Sequence, residues 1–146
     1  MRLDHTSSLV TMFKFSILSL ILLFPQTANA GEVSNATLDR LIPALVRVES
    51  KGDAKAVGDG GRAIGLLQIH RCYWQDAVEF DKTLGGKYED CFNPDYAKRV
   101  VRAYLRRYGT SDSTLEQLAR IHNGGPDGHK ESATLKYWKK VKRELK

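Results

Sequence analysis

Residues 48–70 read VESKGDAKAVGDGGRAIGLLQIH, and the fold depends on how this stretch is arranged. It begins with an acidic residue, Glu49, passes through the glycine-rich segment 51–62 and continues into the apolar run 63–69. Closely spaced glycines with charged neighbours are typical of exposed, irregular backbone. We therefore expect a glycine-rich loop or a short hairpin here, with the functional chemistry of the protein at its border.

The segment before Glu49 has the spacing of a helix. Apolar residues recur at helical intervals from Thr37 to Glu49, and Asn35 or Thr37 is available as the N-cap. Pro43 lies inside this pattern, so the helix is either kinked there or begins near it, because proline cannot donate to the helix ladder. The pattern predicts a first helix that ends at Glu49.

Glu49 occupies a position where an apolar side chain is expected. Counting back along the helix reaches three core-type residues on the same face, Leu45, Ile42 and Leu38. Burial disfavours the ionised carboxyl group and raises its pKa, which suits a general acid. The alternative is an ordinary surface glutamate that turns into solvent or pairs with Arg47 or Lys51.

Four further helices are predicted after the glycine-rich segment. Pro94 is well placed at the first position of one of them, and Gly109 ends it. No long alternating strand pattern competes with the helices. The class is therefore expected to be mainly α, with the later helices within residues 63–80, 94–108, 114–124 and 133–145.

The first 30 residues have the layout of a secretory signal peptide. An apolar run over 15–24 follows Lys14 and precedes the small-residue site 28–30, after which we expect cleavage. The run is too short for a membrane anchor, which needs about 20 apolar residues. Residues 31–146 are thus predicted to form one catalytic domain that is secreted or periplasmic, without stable membrane insertion.

The charge of the domain favours polyanionic partners. The whole chain carries a formal net charge of +6, and loss of residues 1–30 lowers it to +5. Export argues against nucleic acid, and no basic run is interleaved with aromatic residues. The densest basic cluster, over 139–143, falls in the last predicted helix and is interpreted as a solvated face.

The two cysteines, Cys72 and Cys91, are predicted to form a disulfide, because an even pair in an oxidising compartment is usually bridged. Such a bridge would stabilise the fold by about 3 kcal/mol. Zinc binding is the weaker alternative, since neither a C-x-x-C nor an H-E-x-x-H spacing occurs. We predict no metal and no cofactor.

The stretch 48–70 resembles the signature of soluble lytic transglycosylases and goose-type lysozymes, members of the lysozyme-like superfamily. The resemblance implies that Glu49 is the catalytic acid and base, and that the turn 65–68 packs beside it and lends Gln68 to the cleft. It also implies that Ser50 contacts the catalytic region, although Ser50 could instead simply cap the helix.

Two later segments are similar to the C-terminal half of invertebrate-type lysozymes, the destabilase group. They read YEDCFNPDYAKRVVRAYLRRYGT over 88–110 and LARIHNGGPDGHKESATLKYWKKV over 118–141. The resemblance implies a single lysozyme-like domain that cleaves the β-1,4 bond between N-acetylmuramic acid and N-acetylglucosamine in peptidoglycan. These relatives are usually rich in cysteine, whereas this chain has two.

A hydrolase of this kind uses a second carboxylate opposite the acid. Asp59 is the candidate, since it lies in the loop where invertebrate-type lysozymes carry their second catalytic aspartate; Asp53 is the fallback. Asp59 could instead serve only the turn, because aspartate is common in turns. A lone Glu49 would then suit a lytic transglycosylase, which leaves 1,6-anhydro ends.

Three further residues are candidates for substrate binding. His122 and Asn123 fall where transglycosylases place an aromatic residue and an asparagine on the far wall of the cleft, and Tyr137 could contact a sugar ring. A pair satisfied within its own helix end is the alternative for the first two. A non-catalytic peptidoglycan-binding protein with the same fold is the rival from another class.

Overall fold

The structure is a computed structural model that describes residues 31–145, so the predicted signal peptide lies outside the described part of the chain. Within that part, the helices are α1 (Asn35–Glu49), α2 (Arg71–Phe80), α3 (Pro94–Tyr108), α4 (Leu115–Gly124) and α5 (Leu135–Glu144). The strands are β1 (Val57–Gly58), β2 (Ala63–Ile64) and β3 (Ile69–His70), which form one antiparallel sheet in chain order. The prediction of a mainly α domain is confirmed.

Helix α1 begins earlier than predicted. Ser34, and neither Asn35 nor Thr37, is the N-cap, because its side chain accepts a 3.1 Å hydrogen bond from the Thr37 amide. Pro43 lies inside the helix without ending it. The buried face of α1 packs against α4 and α5. The C-terminal end of α1 is therefore held by these two later helices.

The glycine-rich segment forms a hairpin. Strands β1 and β2 pair with Val57 opposite Ile64, and a short 3₁₀ turn, Asp59–Gly61, joins them. The segment 63–80 was expected to begin with a buried turn before its helix; the structure has this turn, flanks it with the unpredicted strands β2 and β3, and starts α2 at Arg71. Paired strands satisfy the backbone of this apolar run.

The buried turn between β2 and β3 depends on Gly65. This residue has a φ of 72°, and a Cβ there would collide with the carbonyl oxygen of Cys91. The hydroxyl of Ser50 donates a 2.9 Å hydrogen bond to the carbonyl of Leu66. The turn is therefore attached both to the end of α1 and to the segment before α3.

The later helices match the sequence pattern closely. Helix α3 has Pro94 in its first turn and Gly109 as its C-cap, as predicted. Thr114 and Gln117 form a capping box at the start of α4. Helix α5 is shorter than expected, because residues 132–134 form a 3₁₀ turn before it.

The predicted disulfide is wrong for this structure. Cys72 and Cys91 are both free thiols, the first exposed near the start of α2 and the second fully buried. Burial, with the nearby charges of Asp90 and Glu89, raises the pKa of the Cys91 thiol to about 12. Packing, rather than a covalent bridge, holds the segment before α3.

None of the helices over residues 31–145 is long and apolar enough to cross a membrane.

Candidate active site

Most of the predicted site residues line a groove between the hairpin and the helical part of the domain. The groove has a volume of about 240 Å³ and is lined by Glu49, Asp59, Ala63, Gln68, His70, Tyr73, His122 and Asn123. A larger groove of about 490 Å³ runs beside α1 and α3, but its acidic residue, Asp39, is already paired with Arg102. We therefore place the site in the smaller groove, which brings together most of the predicted residues.

Glu49 is held at the inner wall of this groove by two helices. The hydroxyl of Tyr137, from α5, donates a 2.6 Å hydrogen bond to Oε1 of Glu49. Nε2 of His122, from α4, lies 3.4 Å from the same oxygen. The Glu49 side chain is 19% exposed, so it is shielded but still reaches the groove.

The pKa of Glu49 corrects the expectation from its sequence position. Burial raises this pKa, as predicted, but the neighbouring side chain of His122, the hydroxyl of Tyr137 and the charge of Lys140 together lower it by more. The pKa therefore lies below its ordinary value. The residues that lower the pKa of Glu49 belong to α4 and α5, which are distant from Glu49 in the sequence.

His122 is buried between Glu49 and Tyr73. Its side chain is 4% exposed, and Nδ1 lies 3.0 Å from the hydroxyl of Tyr73. The Tyr73 ring stacks on Tyr104 with centroids 3.5 Å apart. Burial, with the neighbouring Tyr104 and Glu49, raises the pKa of Tyr73, and burial beside Glu49 raises that of Tyr137, so both phenols stay protonated.

Asp59 lies on the hairpin side of the groove. It has a φ of 49°, and its Oδ1 accepts a 2.7 Å hydrogen bond from Arg62, while Oδ2 is 3.4 Å from Nε2 of His70. Asp53, the fallback candidate, accepts a hydrogen bond from the Lys55 amide within its own turn and does not line the groove. Geometry thus separates the two aspartates.

The other candidate residues divide between groove and scaffold. Gln68 and Asn123 line the groove, and Gln68 also donates a 2.9 Å hydrogen bond to the carbonyl of Gly65. The Ser50 hydroxyl is directed at the carbonyl of Leu66, outside the groove lining. Tyr137 reaches Glu49 itself, a contact that the sequence did not indicate.

Sequence reasoning missed three residues of the groove region. Tyr73 has the helical spacing of a core aromatic residue, and its ring is indeed buried. The sequence therefore did not indicate that its hydroxyl group contacts the site. Arg62 is the last residue of the glycine-rich segment, and His70 is the last residue of β3. The short hairpin expected as one alternative places Arg62 beside Asp59. His70 approaches Asp59 through the pairing of β2 with β3, which the sequence did not predict.

A small helical domain with a shielded glutamate at a helix end and an aspartate on a facing hairpin fits the class of lysozyme-type glycoside hydrolases. Comparison with known proteins agrees with this class and makes it more specific. The destabilase family model matches residues 39–144, and the chain belongs to this family.

Two curated relatives illustrate the match. The lysozyme of Ostrea edulis is 37% identical over 120 residues, which cover 77% of this chain and 84% of that protein. Lysozyme 1 of Crassostrea virginica is 34% identical over 127 residues, or 80% of this chain and 65% of the relative. The resemblance to the destabilase group is thereby confirmed.

A solved structure has the same fold. The crystal structure of the Tapes japonica lysozyme superposes with a TM-score of 0.60 at 32% identity, covering 77% of this chain and 91% of that one. The prediction of a lysozyme-like domain is therefore confirmed in three dimensions.

Proposed function

We propose that this protein is a secreted muramidase that hydrolyses the β-1,4 bond between N-acetylmuramic acid and N-acetylglucosamine in peptidoglycan. The observation that supports it is that Glu49 and Asp59 line one groove in a member of a lysozyme family. Two carboxylates across a sugar-sized groove are what glycoside hydrolysis requires.

Glu49 acts as the general acid. Its protonated carboxyl group donates to the glycosidic oxygen, the bond from that oxygen to the anomeric carbon breaks, and the electron pair stays with the leaving oxygen. Tyr137 and His122 then stabilise the carboxylate that remains, because both face Oε1. The lowered pKa makes Glu49 a stronger acid once the proton is in place.

Asp59 acts on the opposite face of the sugar. It serves as nucleophile if it closes to about 5 Å from Glu49, or as the base for a water molecule at about 6.5–9.5 Å. Arg62 and His70 orient its carboxylate on the hairpin. An oriented second carboxylate favours hydrolysis over transglycosylation, in which the substrate supplies its own hydroxyl.

The remaining residues of the groove bind the glycan. Gln68 and Asn123 offer amide groups to the N-acetyl and hydroxyl groups of the sugars. His122 and Tyr137 contribute mainly through Glu49, and Ser50 fixes the turn that presents Gln68. The formal net charge, +6 for the whole chain and +5 without residues 1–30, favours association with an anionic wall.

Mass analysis of the fragments released from purified peptidoglycan tests this proposal. We expect saccharides with reducing N-acetylmuramic acid ends. Fragments with 1,6-anhydro ends would show a lytic transglycosylase instead, and binding without any released fragment would show a wall-binding protein.

A further inference from the structure

Glu49 presents its two carboxyl oxygens to different surroundings. Oε1 faces Tyr137 and His122, whereas Oε2 has no hydrogen-bond partner among residues 31–145. A carboxylic acid holds its proton on one oxygen only, and the other then accepts hydrogen bonds. The oxygen that is free of protein donors is therefore the one available to carry the catalytic proton.

The hydrogen positions on His122 follow from its neighbours. Nε2 faces Oε1, which accepts hydrogen bonds in either protonation state of Glu49. A hydrogen on Nε2 is therefore attracted to Oε1, whereas a lone pair on Nε2 would be repelled by it. Nδ1 faces the Tyr73 hydroxyl, which keeps its proton. In the neutral imidazole, Nδ1 then accepts from Tyr73 while Nε2 donates towards Glu49.

A hydrogen on Nδ1 fits these surroundings less well. It would present N–H to the Tyr73 oxygen and force the Tyr73 proton to find another acceptor. No other acceptor lies within hydrogen-bond distance of that hydroxyl among the described residues. Because Tyr73 is buried, an unmatched hydroxyl proton is unfavourable there.

We propose that Tyr73 holds His122 as the Nε2–H tautomer, so that His122 and Tyr137 both donate to Oε1 of Glu49 and leave Oε2 to protonate the leaving group. Tyr73 and His122 are positioning residues in this account, since they act through Glu49. The inference rests on the role proposed above for Glu49.

The tautomer can be measured without an activity assay. In protein labelled with ¹⁵N-histidine, NMR at a pH where His122 is neutral should show Nδ1 without hydrogen and Nε2 with it. The H122Q variant identifies which of the histidine signals belongs to His122. A hydrogen on Nδ1 of neutral His122 in the parent protein would overturn the proposal, whatever the enzyme does.

Tyr73→Phe tests the functional consequence. It keeps the stacked ring and removes only the hydroxyl, so kcat should fall about tenfold with little change in KM, as for loss of one positioning hydrogen bond. The ¹⁵N signals of His122 should shift towards a mixture of tautomers. Unchanged tautomers together with unchanged kcat would contradict the proposal.

Two comparisons separate positioning from folding. Tyr104→Phe removes a hydroxyl from the other ring of the same stack, and we expect parent-like kcat and tautomer. H122Q keeps a donor for Oε1 and an acceptor for Tyr73, so it should retain more activity than H122A at equal thermal stability. An equal loss of activity in H122Q and H122A would overturn the positioning role of His122. An inactive parent protein would refute the proposed function but not the tautomer of His122.

Discussion

The hydroxyl of Tyr137 and Oε1 of Glu49 are 2.6 Å apart, although 88 positions separate them in the chain. This hydrogen bond joins α5 to the end of α1 at the inner wall of the groove. It makes the last helix of the domain a direct partner of the candidate acid, and not only a cover for the core.

Tyr137→Phe should therefore change the pH dependence of catalysis. The hydrogen bond lowers the pKa of Glu49, so its loss should raise that pKa. Because Glu49 must be protonated to act as an acid, the alkaline limb of the kcat profile should move to higher pH, with kcat at its maximum reduced about tenfold.

Tyr96→Phe is the matched control, since its hydroxyl contacts Trp74 and the carbonyl of Gly85, away from Glu49. We expect no shift of the profile in this variant. A Tyr137→Phe profile with the limb unmoved, or moved to lower pH, would contradict the account.

Asp59→Asn should reduce hydrolysis at least a hundredfold, in line with the usual contribution of a positioned base or nucleophile. Asp53→Asn is the comparison, because this aspartate serves its own turn and should affect activity less than about threefold. The measurement is the rate of glycan cleavage by each variant relative to the parent protein. Near-parent activity in Asp59→Asn would remove the second carboxylate from the mechanism.

The hairpin and turn could be predicted only in part from the sequence. The glycines indicated irregular backbone, but strands of two residues are too short to give an alternating pattern. The long helices were predictable because caps and apolar spacing agree, as at Pro94 and Gly109 in α3.

The candidate site was predictable only where side chains follow a motif. Glu49, Asp59 and Gln68 fall in one continuous stretch, so a resemblance could identify them together. The environment of Glu49 could not be predicted, since the donors that lower its pKa belong to α4 and α5. Tertiary contacts therefore reversed a prediction made from helical position alone.

Gly65→Ala should be strongly destabilising. The residue has a positive φ, and an added Cβ would collide with the backbone of Cys91, so we expect a loss of more than about 3 kcal/mol in the free energy of unfolding. Gly60 has a similar φ but open space around it, so Gly60→Ala should lower the free energy of unfolding by only about 1–2 kcal/mol. Urea unfolding compares the two, and equal losses would show that the close approach to Cys91 is unimportant.

The free cysteines make a separate prediction. Without reductant, a thiol reagent should modify one thiol rapidly in the native protein, because Cys72 is exposed and Cys91 is buried with a raised pKa. Two thiols should react after denaturation. If none reacts in the denatured protein, the two residues form a disulfide, which would contradict the two free thiols described above.

The central claim is that Glu49 is the catalytic acid, and Glu49→Gln tests it most directly. Glutamine keeps the size of the side chain and can still accept from Tyr137, so the fold and the binding of peptidoglycan should be retained. The decisive measurement is the rate of glycan cleavage by this variant beside the parent, at equal folded concentration. We predict a loss of at least a thousandfold with binding retained, whereas cleavage within tenfold of the parent rate would contradict the account.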